Sequence, residues 1–221
     1  MPKLSPNTAR LLKRAILKLP KLNRYTTLPI ALDMLAKKRM TLLSPETWED
    51  WNDAYYLERY RQELRFRSVL AICFSMSSET FHHWRIFSHG VSGVCIEFNK
   101  VMLLQSLNGT EGFRSSDVTY NYIPRLDGNP PDIEKWPFMK RHPFKAEEEF
   151  RIIYESKKES IRFKHVDLDL SAIKRVTLSP WLPEPVAESV INLIKSIDGC
   201  GHLNVNRSSL LDNATWRNWI D

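Results

Sequence analysis

Phe150-Arg151-Ile152-Ile153-Tyr154-Glu155 is followed, after five residues, by Ile161-Arg162-Phe163-Lys164-His165-Val166. Two β-type runs joined by so short a polar link read as strands paired in a hairpin. A short link permits only antiparallel pairing, because parallel strands need a crossover of a dozen or more residues.

Outward from this hairpin, residues 68–74, 93–98 and 173–178 also read as strands. In the second of these, Val94, Ile96 and Phe98 alternate against Cys95 and Glu97. Shorter strands are expected at 40–43, 117–122 and 203–206. Helical patterns cover 28–35 behind Thr27, 54–67, 81–87 and 183–197. Residues 48–53 read as a loop or a single turn, and 106–116 and 124–137 as Gly-, Ser- and Pro-rich loops. Helices gather at the two ends and strands in the middle, with no regular βαβ alternation. The expectation is a single α+β domain with a mostly antiparallel central sheet.

At 221 residues, 43% hydrophobic and with seven Trp, the chain has ample material for one core. Cys73, Cys95 and Cys200 are odd in number and far apart, which suits buried thiols in a reducing, cytoplasmic setting. No stretch approaches the roughly 20 apolar residues of a membrane-spanning helix.

The net charge of +6 is unevenly placed. Residues 1–32 carry Lys3, Arg10, Lys13, Arg14, Lys18, Lys21 and Arg24 and no acid. Removing these seven from the 32 Lys and Arg leaves 25 against 26 acids. A basic, acid-free start also resembles a transit peptide. However, Ser5-Pro6 is a good helix start, and Leu11, Leu12, Ala15, Ile16 and Leu19 recur at helical spacing. Residues 1–22 are therefore read as a basic amphipathic arm and 23–221 as the domain. Arg10, Lys13, Arg14 and Lys18 on that arm are the candidate contacts to a nucleic acid or an acidic protein partner.

The chain has no Gly-x-Gly-x-x-Gly, no Walker-type loop and no Gly-x-Ser-x-Gly elbow, and only seven glycines. Its cysteines have no partner at zinc spacing, and adjacent His82 and His83 would point apart on a helix. No metal ligands are assigned.

The remaining candidate is Glu147-Glu148-Glu149-Phe150-Arg151. If all of it is strand, Glu147, Glu149 and Arg151 share a face. Two carboxylates beside a guanidinium suit proton transfer and charge stabilisation. The plain alternative is a salt-bridge ladder on an exposed sheet face. Arg24-Tyr25-Thr26-Thr27 and Trp51-Asn52-Asp53 add an arginine, a tyrosine and Asn52 at loop ends, which suits a nucleotide pocket.

These segments form an ordered set with Leu42-Leu43-Ser44-Pro45, Cys73-Phe74-Ser75, Trp84, Gly93-Val94-Cys95-Ile96-Glu97-Phe98, Val118-Thr119-Tyr120, Lys140 and Arg207-Ser208. Together, over residues 22–212, they resemble the bacterial domain-of-unknown-function family 2971. The chain departs from that pattern at Ile86 and Phe87, where His and Tyr are common, and at Ser179, where Gly is usual. The layout is similar to that of distant ADP-ribosyltransferases. That resemblance implies NAD as substrate, with Glu149 or Glu147 as the catalytic carboxylate beside Arg151. It further implies Arg24 on phosphate, and Tyr25, Asn52, Ser75 and Trp84 around the pocket. A toxin or phage-defence effector would be the setting. The rival readings are a nucleic-acid-binding or metal-dependent nucleic-acid-processing protein, with Glu147 and Glu149 as ligands, and a non-catalytic subunit of a defence or toxin–antitoxin complex.

Overall fold

The computed structural model describes residues 20–107, 109–123, 128 and 131–220. The expected contacts at Arg10, Lys13, Arg14 and Lys18 lie outside them.

The chain is a single α+β domain. Its strands are β1 (Lys21–Thr27), β2 (Arg39–Leu43), β3 (Ser68–Ser75), β4 (Gly93–Asn99), β5 (Phe113–Asp117), β6 (Thr119–Asn121), β7 (Met139–Arg141), β8 (Glu149–Ser156), β9 (Phe163–Asp167), β10 (Ile173–Leu178) and β11 (Val205–Arg207). The helices are α1 (Leu28–Lys37), α2 (Trp51–Glu63), α3 (Phe81–Phe87), α4 (Lys100–Gln105), α5 (Glu184–Ser196) and α6 (Ala214–Arg217). Among the described residues, the main sheet runs β11-β10-β4-β1-β3-β2-β9, and β8 joins it on β3 and carries β5. Only β10 and β11 are parallel in it. A separate parallel ribbon joins β6 to β7.

Strand alternation sorts the side chains. Phe150, Ile152 and Tyr154 of β8 face the main core with Ile72, Phe74, Ile96 and Phe98. Ala31 and Leu35 of α1 and Ala187, Val190 and Ile194 of α5 close that core. These helices bury one apolar stripe each, as their spacing dictates. The opposite face of β8 carries Glu149, Arg151 and Ile153. Ile153 joins a second cluster with Leu57, Tyr60 and Val69.

The expected hairpin does not form. β9 pairs with β2, from Leu43↔Phe163 to Arg39↔Asp167. Both edges of β8 are already taken, by β3 along its whole length and by β5. The link is turned aside by Ser68, whose Oγ donates to the Glu159 carbonyl at 2.6 Å and accepts from the Ile161 N–H at 2.8 Å. The antiparallel inference survives because the true partners are antiparallel too.

The sheet also has a seam. β1 pairs with β4 over seven residues, but meets β3 only at Asn23↔Ser75. Beyond that pair the two strands separate, and backbone groups on the facing edge of β3 are left for side chains.

Candidate active site

Three elements converge above the second face of β8. The first is α2, which starts at Trp51 where a loop was expected. Asp50 caps it, accepting from the N–H groups of Asn52 and Asp53. Asp53 then points inward and is buried, while Asn52 is exposed and its side chain, among the described residues, bonds Asp50. The structure therefore does not bring Asn52 into the site; its neighbour Asp53 is the residue that enters. The second element is the β6-β7 ribbon, where Tyr120 lies opposite Lys140. The third is the start of β8.

Glu147, Glu149 and Arg151 do not alternate along one strand. Glu147 ends a 3-10 turn (His142–Glu147), Glu148 is left-handed at φ 42°, and β8 begins at Glu149. The kink nevertheless returns Glu147 to the cluster. Lys140 Nζ lies 2.6 Å from Glu147 Oε2, 3.1 Å from Glu149 Oε2 and 3.6 Å from Asp53 Oδ2. Arg151 Nε donates to Glu149 at 2.7 Å, and its Nη atoms donate to both Asp53 oxygens and to the Pro137 carbonyl. Tyr120 Oη accepts from the Glu149 N–H at 2.8 Å.

This is a buried ion cluster, not an exposed ladder. Arg151 is 0% exposed and Glu149 4%. Such burial is tolerated only where each charge is paired and hydrogen-bonded. The two glutamates are driven in opposite directions. Burial alone would raise Glu149, but the Arg151 and Lys140 charges outweigh it and hold the carboxyl at about 2. Burial raises Glu147, against the pull of Lys140. Burial would lower Lys140, yet Glu149, Glu147 and Asp53 raise it, so its ammonium stays charged.

Arg24 sits at the seam, inside β1 instead of a loop. Its Nη1 donates to the Cys73 carbonyl at 2.9 Å, on the edge of β3 that β1 has left. Burial pulls the guanidinium down from its ordinary value, while Cys73 and the Glu149 carboxylate raise it. Cys73 in turn lies near enough to Glu149 to help lower its carboxyl. Arg24 and Glu149 thus meet across Cys73.

Ser75 ends β3. Its Oγ donates to the Glu147 carbonyl at 2.7 Å and lies 3.3 Å from His83 Nε2. His83 stacks on Tyr25 at 5.4 Å, and Trp84 meets Tyr25 edge-on at 5.3 Å. Trp84 is fully buried, with Nε1 on Glu79 at 2.7 Å. It cannot touch a ligand in this conformation; it holds Tyr25. Sequence reasoning missed His83, Asp53 and Lys140 as parts of this site, although the last two stand in the ordered set quoted above.

Among the described residues no group of three or more His, Cys, Asp or Glu side chains could hold a metal ion. The space between Glu147 and Glu149 belongs to the Lys140 ammonium. No described helix is long and apolar enough to cross a membrane.

No family model and no curated protein matches the chain. Among solved structures it is similar to Thermus sp. 2.9 DarT in complex with carba-NAD+, at TM-score 0.45 and 9% identity over 86% of this chain and 96% of that one. It is similar also to Thermus sp. 2.9 DarT in complex with ADP-ribosylated ssDNA, at TM-score 0.45 and 11% identity over 86% and 95%. Likeness at this level assigns neither a site nor a ligand to this chain.

Proposed function

We propose that the protein consumes NAD, breaking the bond between nicotinamide and ribose and passing ADP-ribose to a macromolecule or to water. The observation that carries this reading is the Glu147–Lys140–Glu149 arrangement, with one carboxyl held ionised and its neighbour pushed up. Carboxyl pairs whose environments drive them apart divide into an electrostatic and a proton-handling role.

Glu149, always anionic, faces the positive charge that develops on the ribose as the C–N bond breaks. Nicotinamide leaves with the bonding electron pair as a neutral molecule. The acceptor oxygen or nitrogen attacks the anomeric carbon and its proton passes to Glu147. The Lys140 ammonium stands where a cationic substrate group must sit, so substrate displaces it. Arg151 touches no substrate and is a positioning residue for Glu149. Arg24 holds phosphate at the seam, Tyr25 offers a ring, and Ser75 and Trp84 fix Glu147 and Tyr25. Arg10, Lys13, Arg14 and Lys18 suit the recruitment of a nucleic-acid or acidic-protein acceptor, and a toxin or phage-defence role belongs to the same reading.

Nicotinamide release by the purified chain tests it, with water, single-stranded DNA and protein as acceptors. Glu149→Gln and Glu147→Gln should each lower turnover by at least 100-fold, roughly the contribution of one positioned acid–base group. No release with any acceptor sinks the proposal. The near-complete burial of Arg151 and Glu149 favours a second reading, a non-catalytic interaction module held together by the cluster. It predicts that both Gln variants keep the protein's biological effect.

A further inference from the structure

A cavity of about 280 Å³ opens at the other end of β3 from the ion cluster. Ser68 in its wall and Ser75 by the cluster are the two ends of that strand. Their separation is roughly 23 Å at about 3.3 Å per residue. The two sites share no residue, although α2 serves both: Asp53 enters the cluster, and Ala54, Leu57, Glu58 and Arg61 line the cavity.

The wall carries three arginines, Arg61, Arg67 and Arg162, against Glu46 and Glu58. Arg61 is already committed. Its Nε and Nη2 donate to the two Glu58 oxygens at 2.7 Å each, and its Nη1 to the Phe66 carbonyl at 3.1 Å. Among the described residues the Arg67 side chain donates to the Lys158 carbonyl, at 3.2 Å, and its N–H to the Ser156 carbonyl. Neither Arg67 nor Arg162 forms a salt bridge with a carboxylate among the described residues. Arg67, just before β3, and Arg162, just before β9, thus line one space. One planar carboxylate satisfies one fork, whereas a phosphate presents enough oxygens for two. Leu57 and Val69 line the same space but are buried, so the wall beyond the charges is mostly polar, with Ser44 and Ser160 in it.

We propose that this cavity binds a small phosphate monoester, its phosphoryl group between Arg67 and Arg162 and its hydroxyl-bearing organic part along Ser44 and Ser160. At about 280 Å³ the cavity lies at the lower edge of small-molecule sites, which run from about 300 to 1,000 Å³, and is too small for a dinucleotide. The proposal stands independently of the NAD reading.

Calorimetric titration and thermal unfolding of the full chain test it, with ribose 5-phosphate, glycerol 3-phosphate and inorganic phosphate at constant ionic strength. At least one ester should bind at least tenfold tighter than inorganic phosphate and raise the melting temperature. The exposed pair Arg67→Gln/Arg162→Gln should melt as wild type without ligand and lose at least tenfold in ester affinity. Glu147→Gln should bind the ester as wild type does. The proposal is overturned if neither ester binds, if inorganic phosphate binds as well as the esters, or if the double variant binds like wild type.

Discussion

Arg151 grips Asp53 through both Nη atoms, at 2.8 Å and 2.7 Å, and neither side chain reaches solvent. The bond spans 98 residues of sequence and ties α2 to β8. Removing one partner leaves the other buried charge short of a counter-charge, Arg151 with Glu149 alone or Asp53 with Lys140 at 3.6 Å. Asp53→Ala should therefore cost about 3–5 kcal/mol in urea unfolding. Asp53→Leu/Arg151→Met should cost less than the sum of the two single changes, because the pair leaves together while Glu149 keeps Lys140. A single-variant loss below about 1 kcal/mol would show that water solvates Arg151 in the native protein.

Glu149 makes the fold sensitive to acid. Its folded carboxyl titrates at about 2, below its ordinary 4.5, so its stabilisation is complete above about 4.5 and is lost as pH falls toward 2. The difference in pKa corresponds to about 3 kcal/mol. The stability gap between wild type and Glu149→Gln should be about that size at pH 7 and should close steadily between pH 4.5 and 2. Urea midpoints across that range measure it. A gap that stays constant down to pH 2.5 would mean that Glu149 is not the paired anion.

Strand and helix identities were legible where local pattern sufficed. The alternation of 93–98 and the apolar run of 68–74 became β4 and β3, and the periodicity of 183–197 became α5. Pairing was not legible. The 150–155 and 161–166 runs look like neighbours, yet Ser68, far away in sequence, decides the path between them. β1 was hidden because Lys21, Asn23 and Arg24 break its apolar pattern; Asn23 is buried all the same, and its side chain donates to the Ser77 carbonyl. The cluster's acids were visible as a motif, but Asp53 and Lys140 join it only through tertiary contacts. The αL turn at Glu148, which removes Glu147 from the strand, has no signal in a run of three glutamates.

Tyr120 anchors the point where β8 begins. Its hydroxyl accepts from the Glu149 N–H, a donor that no neighbouring strand satisfies. Tyr120→Phe keeps the ring and leaves that N–H without its partner. The expected cost is about 1–3 kcal/mol, the penalty for an unsatisfied buried donor. Amide exchange at Glu149 should quicken more than at Ile152, which stays paired with Ile72 on β3. Equal changes at both amides would place the effect elsewhere than in this bond.

Lys140 opposes the rise that burial imposes on the Glu147 carboxyl. Burial raises the Glu147 carboxyl, Lys140 pulls it back by charge and by a 2.6 Å hydrogen bond, and Glu149 and Asp53 raise it again. In Lys140→Met only the raising influences remain. Glu147 should then titrate higher than in wild type, readable from its carboxyl carbon by NMR. A carboxyl raised in the folded state contributes stability that is present below its unfolded value and lost as pH rises through the folded one. The variant should accordingly be weaker than wild type at pH 7 and recover as pH falls toward 4.5, opposite in sign to Glu149→Gln. In the proposed enzyme the acid limb of nicotinamide release should move upward by the same amount, because Glu147 accepts a proton only when ionised. A limb that stays in place while the Glu147 resonance moves would remove Glu147 from the chemistry and leave it a structural acid.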